Sequence, residues 1–210
     1  RIVIIEATTK CGKTVACLVW LVECALRGRP GDQFWWLAPV SIQARMAFDR
    51  LQRFLTPGTY TAHGSRLTLT LPNHTTLCFK SADHPDTLYG EDVRAVVIDE
   101  ATRCKEAAWH AVRSTITATH GLARIIGNVR GRRNWVYRLA RQAEAGAPDM
   151  AHFRLTADDA VQAGIFDAAE LADAQRVFPH RYSASFTTPK PRMIKATRSD
   201  STRSPPAWGR

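Results

Sequence analysis

The feature that most constrains this chain is Ala7-Thr8-Thr9-Lys10-Cys11-Gly12-Lys13-Thr14, which follows the apolar run Ile2-Val3-Ile4-Ile5. It has the form G-x-x-x-x-G-K-[ST], with Ala7 in place of the leading glycine. A loop of this form joins a buried strand to the start of a helix, so that backbone N–H groups and the positive end of the helix dipole meet a phosphate. Lys13 adds a point charge there, and the Thr14 hydroxyl suits a Mg²⁺ position. Val15 to Leu26 is an apolar-rich helical stretch, which supplies the required helix. The competing reading is a Gly-Lys-Thr turn that only caps a helix. Ala7 favours that reading to the extent that glycine gives such a loop its freedom. Alanine is the mildest replacement and the strand–loop–helix context is intact, so the phosphate reading prevails.

A second apolar run, Val96-Val97-Ile98, ends in Asp99-Glu100. A metal-holding Asp followed by a water-activating Glu would look like this, and so would an ordinary acidic pair at a helix N-terminus. The phosphate loop upstream decides between them. Together the two motifs make ATP and Mg²⁺ the expected ligands and ATP hydrolysis the leading activity, with residues 7–14 binding the nucleotide.

At 210 residues and 45% hydrophobic composition the chain can bury one sizeable core. Arg, Glu or Pro interrupts every apolar run, so no transmembrane helix is expected. The first apolar run leads straight into the phosphate loop, which is not the layout of a secretory signal. The chain opens on Arg1, as an excerpt of a longer product would. The five cysteines are odd in number and form no Cys-x-x-Cys pair, which favours reduced thiols in a cytoplasmic setting. Cys17 and Cys24, a heptad apart, read as core residues.

The net charge of +10 favours a polyanionic partner such as nucleic acid. Half of it lies in Thr187–Arg210, where six basic residues face one acidic residue, Asp200. That stretch is rich in Ser, Thr and Pro without apolar periodicity, and reads as a disordered basic tail. Residues 1–186 read as one domain. Within it strand and helix signals alternate: strands at Ile2–Glu6, Gln33–Ala38, Arg94–Ile98, Ala123–Gly127 and His152–Leu155, and a hairpin of Arg66–Leu71 with Thr75–Ser81. The helices are expected at Gly12–Arg27, Ser41–Leu55, Lys105–Thr117, Asn134–Ala145 and Ala168–Val177. Such alternation implies an α/β fold with a mostly parallel sheet between two helical layers. Ligands bind such sheets at the carboxyl ends of the strands, where both motifs fall.

In that order the motifs resemble the ATPase domain of the large subunit of tailed-phage terminases, the motors that package viral DNA. Four segments carry the resemblance. They are Ala7–Thr14; Trp36-Leu37-Ala38-Pro39 before a helix with Gln43 and Ala44; Ser81-Ala82-Asp83 and Leu88-Tyr89-Gly90 before Asp99-Glu100-Ala101; and Ile125 to Gly131 followed by Asn134, Trp135 and Tyr137. It covers about residues 1–186. The resemblance implies a three-layer P-loop NTPase fold of the RecA-like, additional-strand, catalytic-glutamate class. It implies that Lys13 and Thr14 bind phosphate and Mg²⁺, that Asp99 holds the metal and that Glu100 is the catalytic carboxylate. Asn128 falls where the family couples the γ-phosphate state to domain movement, although Gly-Asn also suits a plain turn. Implied partners are double-stranded DNA, further copies in a homo-oligomeric ring, a portal protein and the small terminase subunit.

The chain departs from the family pattern where Tyr89 replaces an arginine expected to reach a neighbouring subunit, and where Thr9 and Lys10 occupy a loop position often held by arginine. Lys10, Arg94 and Arg130 are the candidate replacements. Past Phe186 the only carboxylate is Asp200, and Arg181 and Ser185 stand where the family's closing motif is acidic. No nuclease activity is therefore expected. Two other functions remain open at this stage: a helicase-like ATPase on DNA or RNA, and a truncated prophage remnant that binds nucleotide with little turnover.

Overall fold

Eight strands form one sheet in the order β3-β4-β5-β2-β6-β7-β1-β8, in a computed structural model that describes residues 1–8, 11–128, 133–165, 167–169 and 176. The strands are β1 (Ile2–Ala7), β2 (Gln33–Ala38), β3 (Thr61–His63), β4 (Thr68–Thr70), β5 (Thr76–Ser81), β6 (Val93–Ile98), β7 (Leu122–Gly127) and β8 (Met150–Leu155). The helices are α1 (Lys13–Leu26), α2 (Ser41–Phe54), α3 (Glu106–Thr115), α4 (Trp135–Glu144) and α5 (Ala157–Gln162). From β5 to β8 every pairing is parallel, while β3-β4-β5 is an antiparallel meander at one edge.

The central strands are apolar on both faces because both faces are covered. Ile4, Trp35, Leu37, Val96, Ile98 and Ile125 pack with α3 and α4, through Trp109, Val112 and Ala140. The alternate residues Phe34, Trp36, Val97 and Ile126 pack with α1 and α2, through Leu18, Leu21 and Phe48. Trp35 and Trp36 are neighbours in sequence yet lie in different layers, each fully buried. Burying an aromatic of this size contributes roughly 4–6 kcal/mol of transfer free energy.

Most of the expected elements are present, with shifts that have local causes. Gly12 is not in the first helix but precedes it, in a left-handed conformation at φ 84°. The expected strand Arg66–Leu71 is cut to Thr68–Thr70, because Leu67 at φ 52° breaks the extended run. The meander gains β3, whose residues are all exposed and so carry no apolar alternation to read. Most of the expected helix Ala168–Val177 lies outside the described residues, as do the segment 181–186 and the basic tail 187–210. Among the described residues no helix is long and apolar enough to cross a membrane.

Register fixes what lies beside the phosphate loop. Ile4 of β1 and Ile98 of β6 both pair with Ile125 of β7. The loop after Ala7 and the pair Asp99-Glu100 therefore leave the sheet at the same edge, one strand apart.

Candidate functional site

β1 ends at Ala7, which pairs with Leu155, and the Thr8 N–H then donates to the Leu155 carbonyl at 3.3 Å. Thr9 and Lys10 lie outside the described residues. Cys11 is half-buried, and all five cysteines are free. At Gly12 an added Cβ would meet nothing within 4 Å, so the positive φ and not crowding makes glycine the fitting residue. The Ala16 N–H donates to the Gly12 carbonyl at 3.0 Å, which starts α1. Among the described residues no side chain caps this helix, and its first turn carries no acid, so none of them competes for its first N–H groups. The Thr8 hydroxyl is buried without a hydrogen-bond partner among the described residues. These groups fit a phosphate: they are donors and a dipole end with no acceptor among the described side chains.

Lys13, with only 9% residual exposure, points its ammonium back into this space. Its Nζ donates to the Thr8 carbonyl at 3.4 Å and stands 3.8 Å from Glu100 Oε1. One side chain thus bridges the phosphate loop and the acidic pair across the intervening β7. Thr14 follows on the first turn of α1, half-buried.

Asp99 extends β6 by one hydrogen bond, its N–H donating to the Leu37 carbonyl at 2.8 Å, and its Oδ1 accepts from the Glu100 N–H at 2.9 Å. Burial and then the adjacent Glu100 carboxylate push its carboxyl up to about 6, against the Glu100 N–H, Lys13 and Arg50, which lower it. Hydroxyl and carboxylate oxygens, as on Thr14 and Asp99, are donors that Mg²⁺ accepts. Between the unfolded value near 3.8 and the folded value near 6, the folded chain keeps a proton that the unfolded chain releases. Stability contributed by Asp99 therefore falls as pH rises through that window. Asp99→Asn keeps the Oδ1 acceptor and removes the buried charge. It should stabilise the metal-free protein by roughly 1–3 kcal/mol at pH 7.5, about 3–8 °C in melting temperature, with the gain shrinking toward pH 4. Thermal melts at the two pH values check this, and equal melting temperatures at pH 7.5 would refute it.

Glu100 adopts φ 44° and ψ 43°, a left-handed conformation that a non-glycine residue holds only when its surroundings impose it. A 3₁₀ turn, Ala101–Arg103, follows at once. Gly127, the last residue of β7, lies against this turn: a Cβ there would stand 3.3 Å from the Ala101 nitrogen and 3.5 Å from Glu100 Cα. Asn128 comes next, and its carbonyl is 3.5 Å from the Thr102 hydroxyl. The structure thus brings Lys13, Asp99, Glu100 and Asn128 to one edge of the sheet.

Of the three candidate replacement cations, Arg94 is at the wrong end of β6. Its Nε donates to Asp32 Oδ1 at 3.0 Å, and five residues of strand, about 16 Å, separate it from Asp99. Lys10 and Arg130 lie outside the described residues. Tyr89 is 50% exposed, beside Gly90 at φ 88°.

No pattern in the sequence announces the ionic cluster just beneath the loop. His152 of β8 stands between Glu6 Oε1 at 3.2 Å and Glu144 Oε1 at 2.9 Å. Arg141 of α4 reaches the same two carboxylates at 3.7 and 2.6 Å. Glu6 is the residue before Ala7, so the cluster sits where β1, β8 and α4 meet, with Glu6 Oε1 and His152 Nε2 buried and lacking a hydrogen-bond partner among the described residues. Its members are 146 positions apart in the chain, which is why only the fold reveals it.

A mostly parallel sheet with a Gly-Lys-Thr loop after one strand, paired carboxylates after another and one strand inserted between them has the layout of a P-loop NTPase fold of the additional-strand class. No protein-family profile matches the chain. It is 32% identical over 148 residues to the terminase large subunit of Thermus virus P23-45, and 31% identical over 148 residues to that of Thermus phage G20c. These stretches cover 60% of this chain and 30% of each relative, so the chain spans under a third of the curated relatives it matches. Among solved structures, the ATPase domain of the Thermus phage P74-26 large terminase superposes with a TM-score of 0.69 at 24% identity, covering 85% of this chain and 84% of that one. The HK97 bacteriophage large terminase gives a TM-score of 0.72 at 17% identity, over 85% of this chain and 43% of that one. The large terminase of the thermophilic bacteriophage D6E, solved in complex with ADP, gives 0.68 at 16% identity, over 84% and 44%. The chain is thus similar to terminase large subunits over part of their length and has the fold of the terminase ATPase domain.

Proposed function

We propose that this chain is the ATP-hydrolysing motor domain of a viral DNA-packaging terminase large subunit. The observation that carries the reading is the Lys13–Glu100 contact of 3.8 Å, which places the loop cation and the candidate catalytic carboxylate around one space. Complexes of the D6E large terminase with ADP and with ATP-gamma-S support nucleotide binding at the corresponding fold. In this proposal residues 7–14 cradle the phosphates and Lys13 neutralises charge that builds on them. Glu100 orients water and accepts its proton as the γ-phosphate is attacked in line. Thr14 and Asp99 would hold Mg²⁺, which supplies further charge neutralisation. Asn128, at the end of β7, is the proposed sensor that couples phosphate state to movement.

The working assembly is a homo-oligomeric ring on double-stranded DNA, with a portal protein and a small subunit as partners. The proposal includes residues 1–186 as the ATPase domain, residues 187–210 as a basic tail that meets DNA phosphates, and no nuclease activity in this chain. Steady-state phosphate release, measured with and without linear duplex DNA, tests the reading. Turnover that duplex DNA stimulates is the expected result. Equal stimulation by single-stranded DNA or RNA would replace it with a helicase-like ATPase, and nucleotide binding without turnover would leave a remnant.

A further inference from the structure

The turn that holds Glu100 is gripped from α4. Asn134 caps this helix, its Oδ1 accepting from the Val136 N–H at 2.9 Å. The other end of the same amide, Nδ2, donates to the Thr102 carbonyl at 3.0 Å. Thr102 is the middle residue of the 3₁₀ turn that begins directly after Glu100. The orientation of the amide is not arbitrary. A backbone N–H faces one end and a carbonyl faces the other, so only one placement of oxygen and nitrogen satisfies both.

The next residue reinforces the grip. Trp135, 5% exposed, donates from Nε1 to the Cys104 carbonyl at 2.9 Å and stacks on Trp109 with ring centroids 6.0 Å apart. The start of α4 therefore holds both Thr102 and Cys104. Between them the turn closes on itself, through Arg103 N–H to the Glu100 carbonyl at 2.8 Å and Cys104 N–H to the Ala101 carbonyl at 3.0 Å. Glu100 itself sits at φ 44°, a conformation that relaxes unless its neighbours fix it.

We infer that Asn134 is a positioning residue for Glu100: its amide fixes the turn after Glu100 to the cap of α4 and so sets the direction of the Glu100 carboxylate. This rests on the proposed role of Glu100 in ATP hydrolysis. Asn128 and Asn134 both meet the turn at Thr102, Asn128 through its carbonyl to the Thr102 hydroxyl and Asn134 through Thr102's own carbonyl. A movement at Asn128 would then reach the catalytic carboxylate through Thr102.

The plain alternative is that Asn134 only caps a helix, and substitution separates the two functions. Asp and Ser are as good at an N-cap as Asn, but neither presents an amide donor to Thr102. Asn134→Ser and Asn134→Asp should therefore melt close to the unsubstituted protein. Their kcat for ATP should fall about 10- to 100-fold, the scale on which misplacing a catalytic group acts, while KM stays within about twofold because α1 and its loop are untouched. The Arg103 and Cys104 amides should exchange with deuterium at least about tenfold faster in both variants, as loss of the tether opens the turn. Unchanged kcat in an active protein, or unchanged exchange at these two amides, overturns the inference. If the unsubstituted protein itself releases no phosphate, the hydrolysis reading fails on its own. The exchange measurement still decides whether Asn134 holds the turn.

Discussion

Lys13→Ala abolishes measurable nucleotide turnover and weakens nucleotide binding, on the assignment of the loop proposed above. Lys13 is the cation that the structure buries in the phosphate space, with its side chain 7% exposed and its Nζ 3.8 Å from Glu100. Its charge also lowers the carboxyl of Asp99. Removing it leaves two adjacent carboxylates facing the space where phosphates would enter, with their mutual repulsion opposed only by the Glu100 N–H and Arg50 among the described residues that lower Asp99. The loss of one charge-stabilising donor at a reacting centre is worth on the order of 10²- to 10³-fold in rate, and the uncovered carboxylates add repulsion to the bound anion. Lys13→Arg should rescue little, because a planar fork on a buried stem cannot replace a compact ammonium aimed at a point. Calorimetric titration with a non-hydrolysable ATP analogue and a steady-state phosphate assay measure the two effects. Thermal melting of the variant confirms that the loss is not unfolding. Hydrolysis by Lys13→Ala at the unsubstituted rate would remove the loop from the mechanism.

Much of this site is legible along the chain because each part of it is local. Gly12, Lys13 and Thr14 are contiguous, as are Asp99 and Glu100, and each group follows a buried strand whose continuous apolar run is visible in the letters. The sheet order is less accessible. The insertion of β7 between β1 and β6 depends on pairings such as Ile4 with Ile125 and Ile98 with Ile125, and no local pattern encodes them. The short helix Ala157–Gln162 escaped the reading even though its start is written out: Thr156 and Asp159 form a capping box, with the Thr156 hydroxyl accepting the Asp159 N–H. Its start is marked by the cap alone, because six residues are too few to show an apolar period. Arg94 illustrates the opposite failure. Its charge makes it a candidate cation, but its place as the second residue of β6 puts nearly the whole strand between it and the site. The Asn134 amide, finally, reads as a helix cap in sequence; its second bond, to Thr102, appears only when two segments 32 positions apart meet.

Glu100→Gln should hold ATP and fail to hydrolyse it. The amide preserves the size and shape of the side chain, and as an L-residue it inherits the same left-handed backbone at φ 44°. What it loses is the capacity to accept a proton from the attacking water, an effect worth about 10²- to 10⁴-fold in the rate of the chemical step. Nucleotide affinity should be kept or should rise, since the substitution frees Lys13 from its ion pair and removes one negative charge from the phosphate space. A substrate-trapping variant is the expected outcome: stoichiometric retention of radiolabelled ATP on a filter, with phosphate release reduced to near background. Glu100→Gly provides the internal control for the backbone. Glycine adopts positive φ without strain, so this variant should melt no lower than Glu100→Gln while being equally unable to turn over ATP. Recovery of activity in Glu100→Gly would mean that the strained backbone at this position, and not its carboxylate, limits the reaction. Hydrolysis by Glu100→Gln at the unsubstituted rate would assign the proton to another group. Asp99 would then be the candidate, a carboxyl that burial and Glu100 push up and Lys13 lowers.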